Sequence, residues 1–204
     1  MAAAQVPESE DASVDLLWIP LGAGQSVVRL SGRVFETAAA LAGRRRRSDL
    51  FHSALEVRLD GHRFVIEMTP VPDGHGEVRG VVVEGAVGLA RLGRFRVFRY
   101  EVRCWRDGTI PDAQFANVSV LRLTDDREVV RRVLGLLPGV PNAVWGRDEL
   151  HTGEMWNSNS VTSWVLGRAG VDLAELHPPG RGRAPGWNAG IAVAARAREQ
   201  NTRG

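Results

Sequence analysis

The 204-residue sequence predicts one α+β domain whose middle part is mostly sheet. Two β-rich runs flank Asp60-Gly61, a dipeptide that supplies the positive φ angles of a tight hairpin turn. Apolar residues then recur with helical spacing in residues 124–137 and again in residues 157–170. With 44% hydrophobic residues the chain can bury one core, and it is too short for two full-sized domains.

The domain is predicted to span residues 14–195. Residues 1–13 are small and acidic, which predicts a disordered N-terminus, and residues 196–204 are expected to form a flexible C-terminus. No internal repeat of fixed period and no linker rich in glycine or proline divides the predicted domain.

Two strands and one helix are predicted ahead of the hairpin. The runs VDLLWIP and QSVVRL are typical of short strands, and LGAG between them is typical of a turn. Residues 32–43 carry apolar side chains at helical spacing. Arg44–Arg47 follow at the end where cations stabilise the helix dipole, so we interpret this basic run as a solvated helix end.

Further strands are predicted at Val81–Val83, Phe95–Trp105 and Val118–Leu123. Asp125 and Glu128 stand in capping-box spacing at the start of a helix that stops at Pro138-Gly139.

The last predicted helix begins near residues 157–159, because Asn and Ser are favoured at helix starts, and it ends at Gly167 or Gly170. The segment HPPGRGRAPGWNAG beyond it is rich in proline and glycine and is predicted to be a loop.

The composition excludes several classes of protein. All 26 basic residues are arginine and the net charge is only +2, which indicates a coding bias and predicts no nucleic-acid partner. The single cysteine, Cys104, excludes an internal disulfide and a multi-cysteine metal site. The absence of a long apolar run and of a signal peptide predicts a cytoplasmic protein without a membrane span, with export by another route left open.

The hairpin brings two candidate catalytic side chains to one face. With Asp60 and Gly61 at the centre of the turn, His52 opposes Thr69 and the residue opposite Glu67 is Ala54. His52 and Glu67 then share a face within reach of a diagonal hydrogen bond, in which the carboxylate would orient the imidazole. The alternative is a polar pair without function at the start of a strand.

The cluster Asn157-Ser158-Asn159-Ser160 opens the last predicted helix. A hydroxyl in the first turn meets backbone N–H groups and the positive end of the helix dipole, which can stabilise a developing oxyanion. The same residues are also typical of an ordinary N-cap.

This order of elements resembles the permuted NlpC-type papain-like hydrolase superfamily. In that superfamily the helix begins with an asparagine followed by the nucleophilic cysteine, a pattern that falls here on Asn159 and Ser160. His52 takes the histidine position, and Glu67 or Thr69 takes the polar position. The strings MWNSNSVTSWVLGRAG and PGWNAG also resemble uncharacterised bacterial NSNS-type relatives. The resemblance implies a papain-like fold, in which an antiparallel sheet packs against helices.

The function that the resemblance implies is a hydrolase or acyltransferase acting on an amide or ester bond. Ser160 would attack the acyl carbon, His52 would transfer the proton and Glu67 would fix the tautomer. Since a serine hydroxyl lacks the acidity of a thiol, the nucleophile would depend wholly on His52. The sequence leaves open whether Ser158 or Ser160 holds the nucleophile position.

The alternative function is a catalytically inactive member that binds a peptide or cell-wall ligand. Candidate substrate-binding residues are Asn157, Asn159, Trp145 and Trp156, with a peptide, acyl compound or other small molecule as partner. No cofactor is predicted, because no phosphate-binding loop matches. No metal is predicted either, because His151 and Glu154 lack a third ligand nearby.

Overall fold

The computed structural model describes residues 11–20, 50–71, 80–110 and 119–202. The strands are β1 (Ala12–Pro20), β2 (Phe51–Leu59), β3 (His62–Pro70), β4 (Val81–Ala86), β5 (Arg99–Arg106) and β6 (Ser119–Thr124). The helices of the described ranges are α1 (Arg127–Leu136), α2 (Ser158–Ala169) and α3 (Trp187–Thr202). Within these ranges the strands form one six-stranded sheet in the order β4-β5-β3-β2-β1-β6. Every pairing between these six strands is antiparallel, and together with the three helices this sheet confirms the α+β class.

The β2–β3 hairpin turns at Asp60 and Gly61, as the sequence predicts. Both residues have positive φ, 54° and 74°, which is the conformation that an Asp-Gly turn of type I′ requires. The pairing runs from Leu59 opposite His62 to Leu55 opposite Ile66, so the predicted register is confirmed. The turn chemistry therefore fixes which side chains of the two strands share a face.

Beyond Leu55 the two strands of the hairpin separate. Strand β2 continues along β1, with His52 opposite Ile19, whereas β3 continues along β5, with Thr69 opposite Glu101. The expected pairing of His52 with Thr69 therefore lies outside the described ladder.

The N-terminal part of α2 meets β2 beside this separation. The Asn159 amide donates to the Phe51 carbonyl over 3.0 Å, and the Thr162 hydroxyl donates to the Ser53 carbonyl over 3.4 Å. These two carbonyls do not pair with β3. The side chains of α2 supply the hydrogen-bond donors that buried carbonyls require.

The two faces of the sheet bury different clusters. Trp18, Phe51 and Leu55 belong to the main core, which also contains apolar residues of α1, α2 and α3. A second cluster on the opposite face consists of Leu17, Ile19, Ala54, Val65 and Ile110. None of the three described helices contributes to that second cluster.

The predicted start of one strand and the predicted cap of one helix are wrong by a few residues. The strand expected at Phe95–Trp105 begins only at Arg99, because residues 90–98 form two short 3-10 turns. The side chain that caps α1 is Asp126 and not Asp125, since its carboxylate accepts from the amides of Glu128 and Val129.

The C-terminal prediction also needs correction. Helix α3 begins at Trp187, inside the segment predicted to be a loop, and continues to Thr202 through most of the expected flexible tail. The described residues do not include the strand predicted at QSVVRL, the helix predicted at 32–43 or the arginine run at 44–47. No helix in the described part of the chain is long and apolar enough to cross a membrane.

Candidate functional site

The α2 N-terminus is closed by a reciprocal pair of side-chain bonds. The Asn157 side-chain oxygen accepts from the backbone amides of Asn159 and Ser160 over 2.9 and 3.3 Å. The Ser160 hydroxyl in turn accepts from the Asn157 amide over 3.1 Å. Such a capping box satisfies N–H groups that a helix start leaves without partners. The cluster therefore forms an N-cap, which is the alternative that the sequence left open.

The Ser160 hydroxyl is fully buried and already committed. Its oxygen lies 2.8 Å from the Gly186 carbonyl and 3.1 Å from the Met155 carbonyl, so its single proton is shared between two backbone acceptors. At 0% exposure the hydroxyl has no path to a substrate. The side chain therefore joins the start of α2 to the segment that leads into α3.

The strings NSNS and PGWNAG form a single helix junction. Gly186 has a φ of +86°, and a Cβ there would come within 2.6 to 2.7 Å of Asn157 Oδ1 and Ser160 Oγ. A Cβ on Gly190 would overlap the Ser160 carbonyl and the Ser163 hydroxyl. The Ser163 hydroxyl donates to the Trp187 carbonyl over 2.7 Å. Glycine is required in PGWNAG because α3 crosses α2 this closely.

The sheet separates His52 from Ser160. His52 lies opposite Ile19, a member of the second cluster, so its side chain points away from the face that packs against α2. Ser160 belongs to α2, whose apolar residues pack in the main core on the other side. The predicted Ser160–His52–Glu67 arrangement is therefore not assembled. The alternation of the strands fixes the face of His52, but it does not say on which face the helices pack.

Glu67 shares the face of His52, as the register predicts, and binds an arginine there. Arg103 Nη1 donates to Glu67 Oε1 over 3.1 Å, and Arg103 Nε donates to Glu101 over 2.5 Å. All three charged side chains are at most 8% exposed. The sequence prediction did not include Glu101 and Arg103. They lie two residues apart on β5, the strand that pairs with β3, and therefore point to the same face of the sheet.

The imidazole of His52 lies in a desolvated environment. Burial lowers the pKa of His52 from about 6.5 to about 4, because the charged imidazolium loses its hydration there. The ring is therefore neutral at pH 7. No hydrogen bond joins it to Glu67 or to any other described residue.

Ser158 is the second serine that the sequence left open, and it differs from Ser160. It occupies the first position of α2 and is 6% exposed. Within the described part of the chain its hydroxyl makes no hydrogen bond. Of the two candidate nucleophiles, only Ser158 therefore has a hydroxyl that is not tied to the backbone.

The four predicted substrate-binding residues serve internal contacts. Asn157 and Asn159 both donate to the Pro185 carbonyl, over 2.8 and 2.9 Å. Trp156 is 1% exposed in the main core. Trp145 is bridged to Trp156 through the backbone and packs edge-on against Tyr100 with ring centroids 5.9 Å apart. These contacts hold the core together, and none of the four residues lines the groove described below.

An open groove of about 730 Å³ lies beside α3 and the loop that follows α2. Its wall contains both apolar side chains and charged ones: Val171, Leu173, Leu176, Pro185, Trp187, Ile191, Glu154, Asp172, His177, Arg183 and Arg198. The Glu154 carboxylate is already bound, since it accepts from the Gly186 amide and the Asn188 side chain over 2.8 and 2.9 Å. The groove was not predicted from the sequence, because residues 177–190 were assigned to a loop and the helix that begins at Trp187 was not anticipated.

Among the described residues no group of three side chains suits a metal ion, and His151 and Glu154 are not joined by a third ligand there. Comparison of the chain with protein-family models, with curated proteins and with solved structures gives no match.

Proposed function

We propose that this protein is a catalytically silent binding protein that holds a peptide-like ligand in the groove beside α3. The observation that carries the proposal is the state of Ser160, whose hydroxyl is fully buried and bound to backbone groups while His52 lies across the sheet. Nucleophilic catalysis by serine needs a base within hydrogen-bond reach of the hydroxyl.

The groove supports a ligand that is partly apolar and carries a negative charge. Leu173, Leu176 and Ile191 offer contact to aliphatic groups, and the exposed side chains of His177 and Arg183 stand on the same wall. An arginine guanidinium binds a carboxylate with two parallel hydrogen bonds. A short peptide with a free C-terminal carboxylate, including the stem peptide of a cell wall, combines these groups.

The scaffold that we propose is the permuted papain-like one, with the catalytic positions lost. Its support is the order of elements: a strand that carries a histidine, a hairpin, more sheet, and then a helix that opens with asparagine and serine. In this account the NSNS segment has kept its place at the head of the helix and has become part of a helix junction.

A fluorophosphonate probe with mass mapping tests the absence of catalysis. We expect no adduct on any serine of the native protein. An adduct on Ser158 that disappears in His52→Ala would contradict the proposal. It would support the hydrolase hypothesis instead, with the nucleophile at the first position of α2. An adduct on Ser160 would contradict the burial of its hydroxyl.

Intrinsic tryptophan fluorescence tests the groove, because Trp187 lines it. We expect a saturable change on titration with N-acetylmuramyl dipeptide or with acetylated tetrapeptides that carry a free carboxylate. Arg183→Gln should weaken binding of the free acid about tenfold and leave the peptide amide unchanged. Arg181→Gln is the matched control, since Arg181 is exposed in the same loop and does not line the groove. Equal effects of the two variants would contradict the proposed role of Arg183.

A further inference from the structure

The chain between β4 and β5 has an unusual sequence. Residues 85–100 contain Arg91, Arg94, Arg96 and Arg99 and no acidic residue. Large apolar residues stand between the arginines in the run LARLGRFRVFR. We call residues 89–99 the basic apolar loop. Its four positive charges exceed the +2 of the whole chain.

The basic apolar loop exposes its apolar side chains. It consists of two short 3-10 turns, Ala90–Arg94 and Arg96–Phe98, and neither turn buries a residue. Leu89, Phe95 and Val97 are 54%, 47% and 57% exposed. Apolar side chains exposed together on one segment, in contrast to single scattered ones, indicate a surface that binds a partner.

Arginines accompany these apolar side chains closely. The Arg94 guanidinium lies 4.7 Å from the centroid of the Phe95 ring. Arg94, Arg96 and Arg99 line one recess of about 210 Å³, together with Val71, Glu84 and Glu101. Arg99 is anchored there, since it donates to the Gly93 carbonyl over 2.5 Å and lies 3.6 Å from Glu84. The loop thus offers guanidinium groups at the same surface as exposed apolar groups.

We propose that the basic apolar loop binds the surface of an anionic phospholipid bilayer. Arginine side chains are attracted to the negative potential of such a surface and donate to lipid phosphates, while apolar side chains enter the boundary between headgroups and acyl chains. The aliphatic Leu89 and Val97 have no flat face on which a nucleic-acid base could stack, which favours lipid over single-stranded nucleic acid. None of the residues that line the groove belongs to the loop, so the two proposals are independent.

Co-sedimentation of the full chain with vesicles tests the proposal. The probes are vesicles of pure phosphatidylcholine and vesicles with one third phosphatidylglycerol. We expect binding to the anionic vesicles, with weakening at high salt. Each arginine near an anionic surface contributes about fivefold, so the double variant Arg94→Gln/Arg96→Gln should bind about twenty-five-fold more weakly. Phe95→Ser/Val97→Ser should bind at least about tenfold more weakly even at low salt.

The matched control is Val120→Ser/Leu121→Ser on β6. These side chains are 61% and 42% exposed and lie on the opposite edge strand of the sheet. The control should bind anionic vesicles like the wild type, and unchanged thermal melts should show that all variants are folded. No binding to anionic vesicles, or equal losses in the control, would overturn the proposal. Binding to poly-glutamate that depends on the arginines but not on Phe95 and Val97 would also overturn it, in favour of an acidic protein.

Discussion

Replacing Ser160 by alanine distinguishes a structural serine from a nucleophile. The substitution leaves the Asn157 amide without an acceptor among the described residues, whereas the Gly186 carbonyl still accepts from the amides of Ala189 and Gly190. A buried backbone group left without a partner costs about 1 to 3 kcal/mol, and loss of a capping side chain costs about 0.5 to 2 kcal/mol. We therefore expect the free energy of unfolding to fall by about 2 kcal/mol, which lowers the melting temperature by about 4 to 8 °C.

Urea unfolding followed by circular dichroism measures this loss directly. Ser158→Ala is the control, because its hydroxyl makes no hydrogen bond to described residues, and we expect it to change stability by less than about 0.5 kcal/mol. A nucleophile would behave in the opposite way, since its removal abolishes turnover and leaves the fold intact. If Ser160→Ala has the same urea midpoint of unfolding as the wild type, the capping box does not contribute the stability that we expect from it.

Three further predictions follow from glycine, histidine and cysteine positions. Gly190→Ala should destabilise the protein by about 3 kcal/mol in urea unfolding, because a Cβ at this position would overlap α2. Gly135→Ala on the open side of α1 should instead stabilise the protein by about 0.5 to 1 kcal/mol. Stability changes of the same sign in both variants would refute the close crossing of α3 over α2. Because the pKa of His52 falls from 6.5 to about 4 on folding, the unfolded chain binds a proton that the native one does not, so His52 should cost stability as pH falls from 6.5 to 4. Melts of His52→Gln should match the wild type at pH 8 and exceed it by about 3 kcal/mol at pH 4, and parallel curves would contradict the burial of the ring. Burial raises the pKa of Cys104 to about 11, so iodoacetamide at pH 8 should alkylate the native protein at least about a hundredfold more slowly than the urea-unfolded chain; similar rates would show an accessible thiol.

Local chemistry made the hairpin and the helix starts predictable. Asp60-Gly61 fixes both the turn and its register, because few other dipeptides accept two positive φ angles. Asn157 and Gly170 bound α2 for similar local reasons, since one caps the amides and the other adopts the left-handed conformation at the end, with a φ of +92°. Each of these features depends on a few adjacent residues.

The candidate site was not predictable in the same way, because it depends on how distant segments pack. Alternation along β2 and β3 correctly puts His52 and Glu67 on one face, but it cannot say that α2 lies on the other. Glycine and proline in PGWNAG suggested a loop, whereas Gly186 and Gly190 are there because α3 crosses α2 closely. The glycines of that segment are explained by a contact between two helices, and such a contact cannot be predicted from local propensity.

The separation of β2 from β3 also constrains the order in which the chain can reach its native state. Phe51 receives a bond from Asn159 at its carbonyl and donates one from its amide to the Arg183 carbonyl over 2.9 Å. During synthesis on the ribosome, the start of β2 therefore waits for partners that emerge more than a hundred residues later. A nascent chain stalled before residue 183 should hold the hairpin but leave the head of β2 open to proteases, and protection should appear only once α3 has left the exit tunnel.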